Sequence, residues 1–525
     1  MDAAGGTGKT FCLNALLAYV RSAGHVALAV ASSGIAALLL MKGRTSHSRF
    51  KLQLSPVAEY TLSLPTEEGS AMIKLLQRTR LIVWDEVSAT VRFHLEALDT
   101  YLKDIFKPRE HLPYAGITIV MAGDLRQTLP IERGASDGRL ASIVVTQSLL
   151  WEHFKVLRLT DNMRLRSVVT PLRSTYVLGQ VGEDAFNTAV SDAALARARL
   201  ATFANWQMSV GNGTHPMHDG VAGALLLPPD KCTDLGTPGS PTEAAAMAAM
   251  VHEMFPNPDN VTSSSSCAIL APRVADVNII NDLVLARLAG DGGANMFPRP
   301  LPFRHLGVIC VWTWRHVSST RNSCLSLACP SSTRLVVLLL SADSLVEPGA
   351  DGMSPGVEYL HGETHGGMAR HDLTLKVGAL VMLTHNLKPA DGLCNGTRLI
   401  VTKIPASRRC IVCRKFTPDD ALEDTDEVLI PRIIMRADEN VYPFKWQRVQ
   451  FPLRVAFAMT INKSQGQTLD RVAVYLPMPC FAHGQLYVAI SRVRDPDGLR
   501  FWLPARGDGV FVTNNVVIRD VLTGG

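Results

Sequence analysis

A glycine-rich run close to the first residue constrains this chain more than any other feature. The run consists of Gly5, Gly6, Thr7, Gly8, Lys9 and Thr10. In such a loop, backbone N–H groups and the start of the following helix bind phosphate, and a buried strand normally leads into the turn. The sequence therefore predicts a nucleotide-phosphate site in a parallel α/β sheet. Because so few residues precede Gly5, and Ala3 stands where the consensus has a glycine, we expect the leading strand to be missing.

Composition limits the class of protein. The 525 residues are 47% hydrophobic and 19% charged, which is typical of a globular chain with large cores. The formal charge of +5 permits a polyanionic partner without demonstrating one. Scattered cysteines indicate reduced thiols, and we interpret Cys410 and Cys413 as strand cysteines rather than half of a zinc site. The apolar stretch 25–41 is interrupted by Ser32 and Gly34, so we predict neither a membrane span nor a membrane partner.

Strand and helix patterns divide the chain into three predicted units. They alternate over residues 1–165, which predicts a first parallel α/β domain. A second α/β domain is predicted over 166–374 and 454–525. Short β-like runs between turns predict a small all-β insert over 375–453, for which a barrel is one arrangement. Residues 296–335 fit neither a helix nor a strand period, and we interpret them as an insertion or an unspliced stretch of the gene.

Two carboxylates follow a very apolar strand. Residues 81–84 read Leu-Ile-Val-Trp, and Asp85 and Glu86 come next. A strand this apolar is buried, so its end delivers both carboxylates to the sheet edge where the glycine loop opens. Asp85 can then hold Mg²⁺ together with the Thr10 hydroxyl, while Glu86 can orient and deprotonate an attacking water.

A third element is a strand that ends in Gly123 and Asp124 and is followed by Gln127. A glutamine amide both donates and accepts hydrogen bonds, so Gln127 could sense a γ-phosphate. The alternative is a capped strand end, and the motif standing alone favours that alternative.

Taken together, the motifs resemble one known family. In chain order they are GGTGKT, ASSGIAALLL with GRTSHSRF, VWDE, GDLRQTLP, LTDNMRL, AMTINKSQGQT and HGQLYVAISRV. This ordered set closely resembles the petite-integration-frequency (Pif) family of superfamily 1 DNA helicases. The residues within the motifs resemble most the helicases of Helitron transposons. The resemblance implies two RecA-like α/β domains with ATP between them, a wedge element near 52–72 and an SH3-like insert at 375–453.

The resemblance also implies roles for nucleotide-binding residues. Lys9 would neutralise the β- and γ-phosphates, and Gln127 would sense the γ-phosphate. Arg164 and Arg492 resemble two arginines supplied to the γ-phosphate from across the interdomain cleft, although each could instead form a surface salt bridge. Gly466 and Gln467 are matched to ATP binding. The family's upstream glutamine motif for adenine has no counterpart here, so we expect weakened ATP binding.

Two further groups of residues are matched to DNA binding. One group belongs to the motif that couples nucleotide state to the grip on DNA: Lys463, Ser464 and Gln465. The other resembles the DNA-facing loop of the first domain: Ser33, Gly34, Thr45 and His47. His47 alone would more often be an ordinary hydrogen-bonded histidine.

The function implied is ATP-dependent unwinding of DNA with 5′ to 3′ translocation, with Mg²⁺ and ATP bound and with single-stranded and forked DNA as partners. The implied processes are DNA repair, recombination, telomere maintenance or Helitron transposition, in the nucleus or alternatively the mitochondrion. Two alternatives stay open. One is a truncated or inactive transposon-derived fragment that binds DNA without unwinding it. The other is the helicase half of a rolling-circle transposase, whose His-x-His nuclease motif does not occur among the fifteen histidines.

Overall fold

The computed structural model describes most of the chain. The described residues are 1–53, 60–67, 69–130, 134–163, 183–216, 218, 223–258, 264, 266–288, 336–348, 354–363, 368–415, 427–437, 442–507 and 509–523. The predictions for Arg164 and for the irregular segment 296–335 lie outside these residues. Within the described part, every helix is too short or too polar to cross a bilayer.

A parallel sheet forms the core of the first domain. Its spatial order is Arg44–Thr45, Val26–Ala31, Thr79–Asp85 and Thr118–Met121. The two central strands read VALAVA and TRLIVWD and are almost entirely buried, as strands covered by helices on both faces must be. This sheet confirms the predicted α/β class.

Helices cover the sheet of the first domain. The P-loop helix, Lys9–Ser22, buries Leu13 and Leu17 against it. Serine or threonine side chains cap several of the other helices, where they accept hydrogen bonds from backbone N–H groups. The other helices of this domain are Gly34–Leu39, Ser46–Phe50, Ala71–Arg78, Arg92–Ile105 and Asp137–Ile143.

The expectation that no strand enters the glycine loop was wrong. Asp2–Ala3 forms a two-residue strand that pairs in parallel with Arg158–Leu159. On its other edge, Ala3 N–H donates to the Gly123 carbonyl at 3.0 Å, and Gly123 N–H donates to the Met1 carbonyl at 3.2 Å. Both edges of the short strand are therefore paired. Two residues are too few to show a hydrophobic period, so the sequence pattern could not reveal this strand.

A second parallel sheet lies in the C-terminal half. Its order is Ala458–Thr460, Cys267–Ala271, Arg471–Tyr475, Leu499–Leu503 and Cys232–Asp234. Its strands come from both sides of the β insert, as predicted for a second α/β domain. A short antiparallel pair joins Val512–Asn514 to Ala224–Leu226. The helices of this domain are Glu183–Asn212, Pro241–Met254, Val274–Arg287, Gln485–Ile490 and Arg519–Thr523.

The β insert is larger than predicted. Its main antiparallel sheet runs in the order Glu427–Pro431, Cys410–Lys415, Arg398–Lys403, Leu380–Leu383 and Leu453–Val455. A second sheet contains Ala342–Glu347, Lys445–Gln450 and Ile433–Arg436, and Val337–Leu340 pairs with Asp372–Leu375. The helix Val357–Gly362 lies between these strands in the chain.

Assigning all of 166–374 to the second α/β domain was therefore wrong. Residues 337–347 pair with strands of the insert, although they precede it by a long stretch of chain. Cys410 and Cys413 lie three residues apart on the strand Cys410–Lys415. Their side chains therefore point to opposite faces of the sheet. The SH3-like description of this insert stays a prediction.

The predicted wedge near 52–72 falls partly outside the described residues, since 54–59 and 68 are not among them. In the described part, Leu62 and Leu64 are buried in the core of the first domain. The Tyr101 hydroxyl donates to the Pro65 carbonyl at 2.6 Å and holds this stretch against the helix Arg92–Ile105. The wedge itself stays a prediction.

Candidate nucleotide site and its interdomain joint

The glycine loop has the backbone shape of a phosphate cradle. Gly6 and Gly8 adopt positive φ angles of 88° and 85°, a region that suits glycine because it has no Cβ. Gly8 precedes the P-loop helix, so the first free N–H groups of that helix face the loop. Such N–H groups, with the positive end of the helix dipole, form an anion site.

Lys9 joins the loop to the two carboxylates that follow Thr79–Asp85. Its Nζ lies 2.8 Å from Asp85 Oδ1 and 2.7 Å from Glu86 Oε1. The side chains are 14%, 2% and 12% exposed, so the three charges are largely removed from water. Burial alone would lower the pKa of Lys9, but Glu86 and Asp85 together raise it well above its usual value. Lys9 therefore stays charged and offsets one of the two negative charges of this carboxylate pair.

The backbone around Glu86 is strained. Glu86 has φ of 53°, in the left-handed region that is costly for a residue with a Cβ, about 1–3 kcal/mol. Its N–H donates to Asp85 Oδ1 at 2.8 Å, and the next N–H, of Val87, donates to the Ala122 carbonyl at 3.0 Å. Within the described chain, Glu86 Oε2 is buried without a hydrogen-bond partner. The turn thus aims one unengaged carboxylate oxygen into the site.

Gln127 is held in one amide orientation. Its Oε1 accepts from Gln465 Nε2 at 3.0 Å, and its Nε2 faces Asp124 Oδ2 at 3.5 Å. Gln465 Oε1 also accepts from the Thr128 hydroxyl at 3.0 Å. Gln465, predicted to bind DNA, therefore contacts the first domain beside Gln127.

Arg492 reaches this region from the second domain. It is 5% exposed. Its guanidinium donates to the carbonyls of Val488, Ser464 and Gln467 and to the Ser491 hydroxyl. None of these described partners is a carboxylate. Burial lowers the pKa of Arg492, and the Glu86 carboxylate, which lies near enough to interact, partly opposes this lowering. Arg492 is thus a buried cation that is held by its own domain and lies near enough to Glu86 for their charges to interact.

The segment 463–467 supplies two of the carbonyl groups that accept hydrogen bonds from Arg492. Gly466 has φ of 77°, and the Ser464 hydroxyl donates to the Ile461 carbonyl at 2.7 Å. Gln467 Nε2 donates to the Lys463 carbonyl at 3.4 Å. Burial, with Arg454 nearby, lowers the pKa of Lys463 to about 8. This segment therefore contacts Arg492 and also carries a lysine, Lys463, whose charge responds to pH.

The residues matched to the DNA-facing loop have structural roles in this structure. Ser33 and Thr45 cap the helices that follow them, with their hydroxyls accepting from Ala36 and Ser48 N–H groups. Gly34 packs so closely on the β insert that an added Cβ would lie 2.9 Å from the Cys394 Cβ. His47 packs edge-on against His94 at 5.3 Å, and burial lowers the pKa of His47. Their DNA contacts stay a prediction.

Three residues of the joint between the domains were not singled out from the sequence. The Tyr487 hydroxyl donates to Asp124 Oδ2 at 2.7 Å, and Arg126 Nε donates to Asn212 Oδ1 at 2.8 Å. His483 Nδ1 accepts from Ile518 N–H, so its Nε2 carries the proton and donates to the Leu125 carbonyl at 3.1 Å. Tyr487 and His483 lie within the quoted motif HGQLYVAISRV and Arg126 lies within GDLRQTLP, so these two motifs were the available signal.

A cavity of about 360 Å³ adjoins the glycine loop. It lies between the loop, the segment 158–162, the long helix Glu183–Asn212 and the helix Gln485–Ile490. Its polar lining includes Asn162, Asn205, Thr160, Ser491 and Tyr487. A concave site with a few polar groups beside an anion cradle suits a small phosphorylated ligand.

Comparisons with known proteins agree with this geometry. The family model for PIF1-like helicase matches residues 1–175, and that for the 2B domain of DNA helicase Pif1 matches residues 358–404. The ATP-dependent DNA helicase PIF1 of Xenopus laevis is 39% identical over 129 residues, which are 24% of this chain and 19% of that protein. The ATP-dependent DNA helicase Pif1 of a Psychrobacter species is 23% identical over 94% of this chain and 64% of its own length. The match thus spans less than two thirds of each of these relatives.

Solved structures show the same fold. The Bacteroides Pif1 bound to single-stranded DNA is 20% identical, with a TM-score of 0.53 over 95% of this chain and 87% of its own. The Pif1 helicase of Candida albicans is 19% identical, with a TM-score of 0.52 over 99% of this chain and 93% of its own. In its ordered motifs, its fold and these partial matches, the chain is thus similar to PIF1-like helicases, whose family model matches residues 1–175.

Proposed function

We propose that this chain hydrolyses ATP when single-stranded DNA is bound, moves 5′ to 3′ along that strand and unwinds duplex DNA. The observation that carries the proposal is the arrangement at the sheet edge. Lys9 lies between Asp85 and Glu86 at the mouth of the glycine loop, and Arg492, from the other domain, lies near enough to Glu86 for their charges to interact. The match of residues 1–175 to the PIF1-like helicase model and the Pif1 fold support the choice of DNA helicase among P-loop enzymes.

The chemistry assigns one task to each side chain. Lys9 would exchange its carboxylate partners for the β- and γ-phosphates, because phosphate oxygens carry more negative charge. Glu86 would then orient and deprotonate the attacking water through its unengaged oxygen. Gln127 would contact the γ-phosphate through its amide. Arg492 would stabilise charge that develops in the transition state, a contribution worth about 10³–10⁵ in rate in related reactions.

The residues also fit Mg²⁺. Asp85 and Thr10 offer a buried carboxylate and a hydroxyl oxygen, which are the hard donors this ion prefers. When bound with ATP, the ion would neutralise charge on the phosphates. The adjoining cavity of about 360 Å³ would receive the nucleoside end of the nucleotide. Gly466 and Gln467 would contribute to the ATP site from the second domain.

DNA would lie across both α/β domains. The proposed contacts are Lys463, Ser464 and Gln465 in the second domain and Ser33, Gly34, Thr45 and His47 in the first. Because Arg492 donates to the Ser464 and Gln467 carbonyls, a shift of the DNA-side segment would be felt at the nucleotide. Closing the cleft on ATP and opening it after hydrolysis would move one domain relative to the other along the strand.

The test is an ATPase assay with Mg²⁺, with and without single-stranded DNA, and an unwinding assay on duplexes with a 5′ or a 3′ tail. We expect DNA to raise the rate by at least about tenfold, since Arg492 must close from another domain. We expect Glu86→Gln to keep ATP binding and lose turnover. DNA binding without ATP hydrolysis would overturn the proposal in favour of the inactive-fragment alternative, and preference for 3′ tails would contradict the direction.

The cellular setting rests on family likeness alone. We propose a nuclear role in DNA repair, recombination, telomere maintenance or Helitron transposition, with the mitochondrion as the alternative compartment. Imaging of the tagged full-length gene product would decide the compartment, and a solely mitochondrial signal would contradict the nuclear assignment.

A further inference from the structure

Asp124 is a buried charge that the proposed chemistry does not use. It follows the strand Thr118–Met121 and is 0% exposed. Its Oδ1 accepts from Arg126 Nη1 at 2.9 Å and from Arg126 N–H at 3.2 Å. A carboxylate fully removed from water is costly unless every oxygen is engaged. Its second oxygen therefore requires an explanation.

Two donors, one from each domain, share that second oxygen, Oδ2. The Tyr487 hydroxyl, from the second domain, donates to it at 2.7 Å. The Gln127 amide, from the first domain, faces it at 3.5 Å. One donor belongs to the proposed γ-phosphate sensor, and the other belongs to the helix Gln485–Ile490. Any movement of the Gln127 amide therefore changes how strongly Asp124 can hold Tyr487.

Tyr487 in turn fixes the turn that carries Arg492. The Tyr487 carbonyl accepts from Ser491 N–H at 3.0 Å. One residue on, the Val488 carbonyl accepts from Arg492 Nε at 2.8 Å. Displacing Tyr487 thus displaces the backbone and the carbonyl that orient the arginine.

The surroundings leave this joint little freedom. An added Cβ on Gly211 would lie 2.7 Å from the Tyr487 ring and 3.1 Å from Arg126 Cδ. Arg126 also donates to Asp2, in the strand that enters the glycine loop, at 3.0 Å. His483 holds the Leu125 carbonyl from the second domain. Packing this close transmits a shift of one member to the others instead of absorbing it.

We propose that Asp124 and Tyr487 are positioning residues that couple γ-phosphate sensing by Gln127 to the placement of Arg492. The inference rests on the proposed function and deepens it. When Gln127 turns to a γ-phosphate, its amide leaves Oδ2 to the Tyr487 hydroxyl alone. The charged hydrogen bond then holds the helix Gln485–Ile490 in the position in which Arg492 faces the phosphate. Without the hydroxyl, sensing and arginine placement become independent.

The chain offers a matched pair of variants for the test. Tyr475, like Tyr487, is almost fully buried, and its hydroxyl donates to a carboxylate, Glu243 Oε1, at 2.6 Å. That bond lies within the second domain. Tyr487→Phe and Tyr475→Phe therefore remove the same group from similar surroundings, and only the first is in the joint.

DNA-stimulated ATP hydrolysis by the full chain should separate the two variants. We expect kcat of Tyr487→Phe to fall about 10- to 100-fold with KM for ATP changed by less than about threefold, since a hydrogen bond to a charged group is lost at a step after binding. Tyr475→Phe should keep the wild-type kcat, while both variants melt at similarly lowered temperatures.

Two outcomes would count against the inference in different ways. Wild-type kcat in Tyr487→Phe, or an equal fall in Tyr475→Phe, would overturn this inference and leave the proposed function standing. Absence of DNA-stimulated hydrolysis in the wild-type chain would overturn the proposed function and this inference with it.

Discussion

Gly484 is the position at which the joint between the domains can be perturbed most cleanly. It has φ of 70° and precedes the helix Gln485–Ile490. A Cβ built there would overlap the Arg126 carbonyl oxygen and lie 2.7 Å from the Gln127 carbonyl carbon. These atoms are backbone, which cannot turn aside as a flexible side chain can. Gly484→Ala must therefore push the second domain away from residues 126–127 of the first.

The size of the effect follows from two separable costs. An alanine at positive φ costs about 1–2 kcal/mol relative to glycine. Overpacking by one methyl group adds about 1–3 kcal/mol. Gly509 isolates the first cost, since it has φ of 76° and nothing lies within 4 Å of the Cβ it would acquire. The difference between Gly484→Ala and Gly509→Ala is then the overpacking alone.

Rates of DNA-stimulated ATP hydrolysis are the measurement. We expect closure of the cleft to bring Arg492 to the phosphate. If Gly484→Ala makes the free energy of closure about 1–3 kcal/mol less favourable, its rate falls by about 5- to 150-fold. Gly509→Ala should keep the wild-type rate and lose only thermal stability. Equal rates for the two variants would show that contact between residues 484 and 126–127 does not matter for catalysis, and the reasoning about the joint would fail.

Two further predictions concern charges. Lys9→Ala should abolish ATP binding in calorimetric titration and destabilise the free protein by about 3–5 kcal/mol near neutral pH, because it leaves Asp85 and Glu86 buried without their cation. Burial already raises the pKa of Asp85 above its value of 3.8 in the unfolded chain. The contribution of Asp85 to folding stability is therefore fully present below pH 3.8 and is lost as the pH rises through the pKa that Asp85 has in the folded protein. Removing Lys9 raises the pKa of Asp85 further, so the loss of stability of Lys9→Ala relative to wild type, measured by thermal melting, should shrink in mild acid. A loss of stability that does not depend on pH would contradict the role of the ion pair. Lys463, whose pKa burial lowers to about 8, should lose its charge as pH rises through that value. The Kd for single-stranded DNA should then rise by up to about tenfold per pH unit, and Lys463→Arg, which stays charged, should flatten the profile in an anisotropy titration. Identical profiles for lysine and arginine would remove Lys463 from the DNA site.

Several parts of the fold could be predicted because their signals are local. The strand Thr79–Asp85 is apolar enough to be buried, and burial fixes where Asp85 and Glu86 emerge. The glycine loop fixes the position of Lys9 relative to that sheet edge. From these two facts the meeting of Lys9 with the carboxylates follows. Their catalytic roles stay predictions until activity is measured.

Other parts depend on contacts between distant residues that no local pattern encodes. The strand Asp2–Ala3 exists because Arg158–Leu159 and Gly123 pair with its two edges. Residues 337–347 join the β insert because Lys445–Gln450 and Asp372–Leu375 offer them partners. The bond between Asp124 and Tyr487 spans 363 positions of sequence. Composition and periodicity do not predict such pairings, because each segment alone is compatible with several partners.

The ion pairs of Lys9 bear on the order of events. Glu86 Oε1 lies 2.7 Å from Lys9 Nζ, so the proposed base is partly neutralised by the lysine before nucleotide arrives. Phosphates that draw Lys9 away would therefore free Glu86 Oε1 as well as Oε2 to accept a hydrogen bond from the attacking water. The same displacement leaves Asp85 without its cation, which favours a divalent ion at that carboxylate. We therefore expect nucleotide and metal to bind the wild-type chain cooperatively, and Lys9→Ala to bind Mg²⁺ in the absence of ATP more tightly than wild type does. Calorimetric titration of Mg²⁺ into both proteins would measure this, and equal or weaker binding by the variant would show that the Lys9 ion pairs do not control access to Asp85.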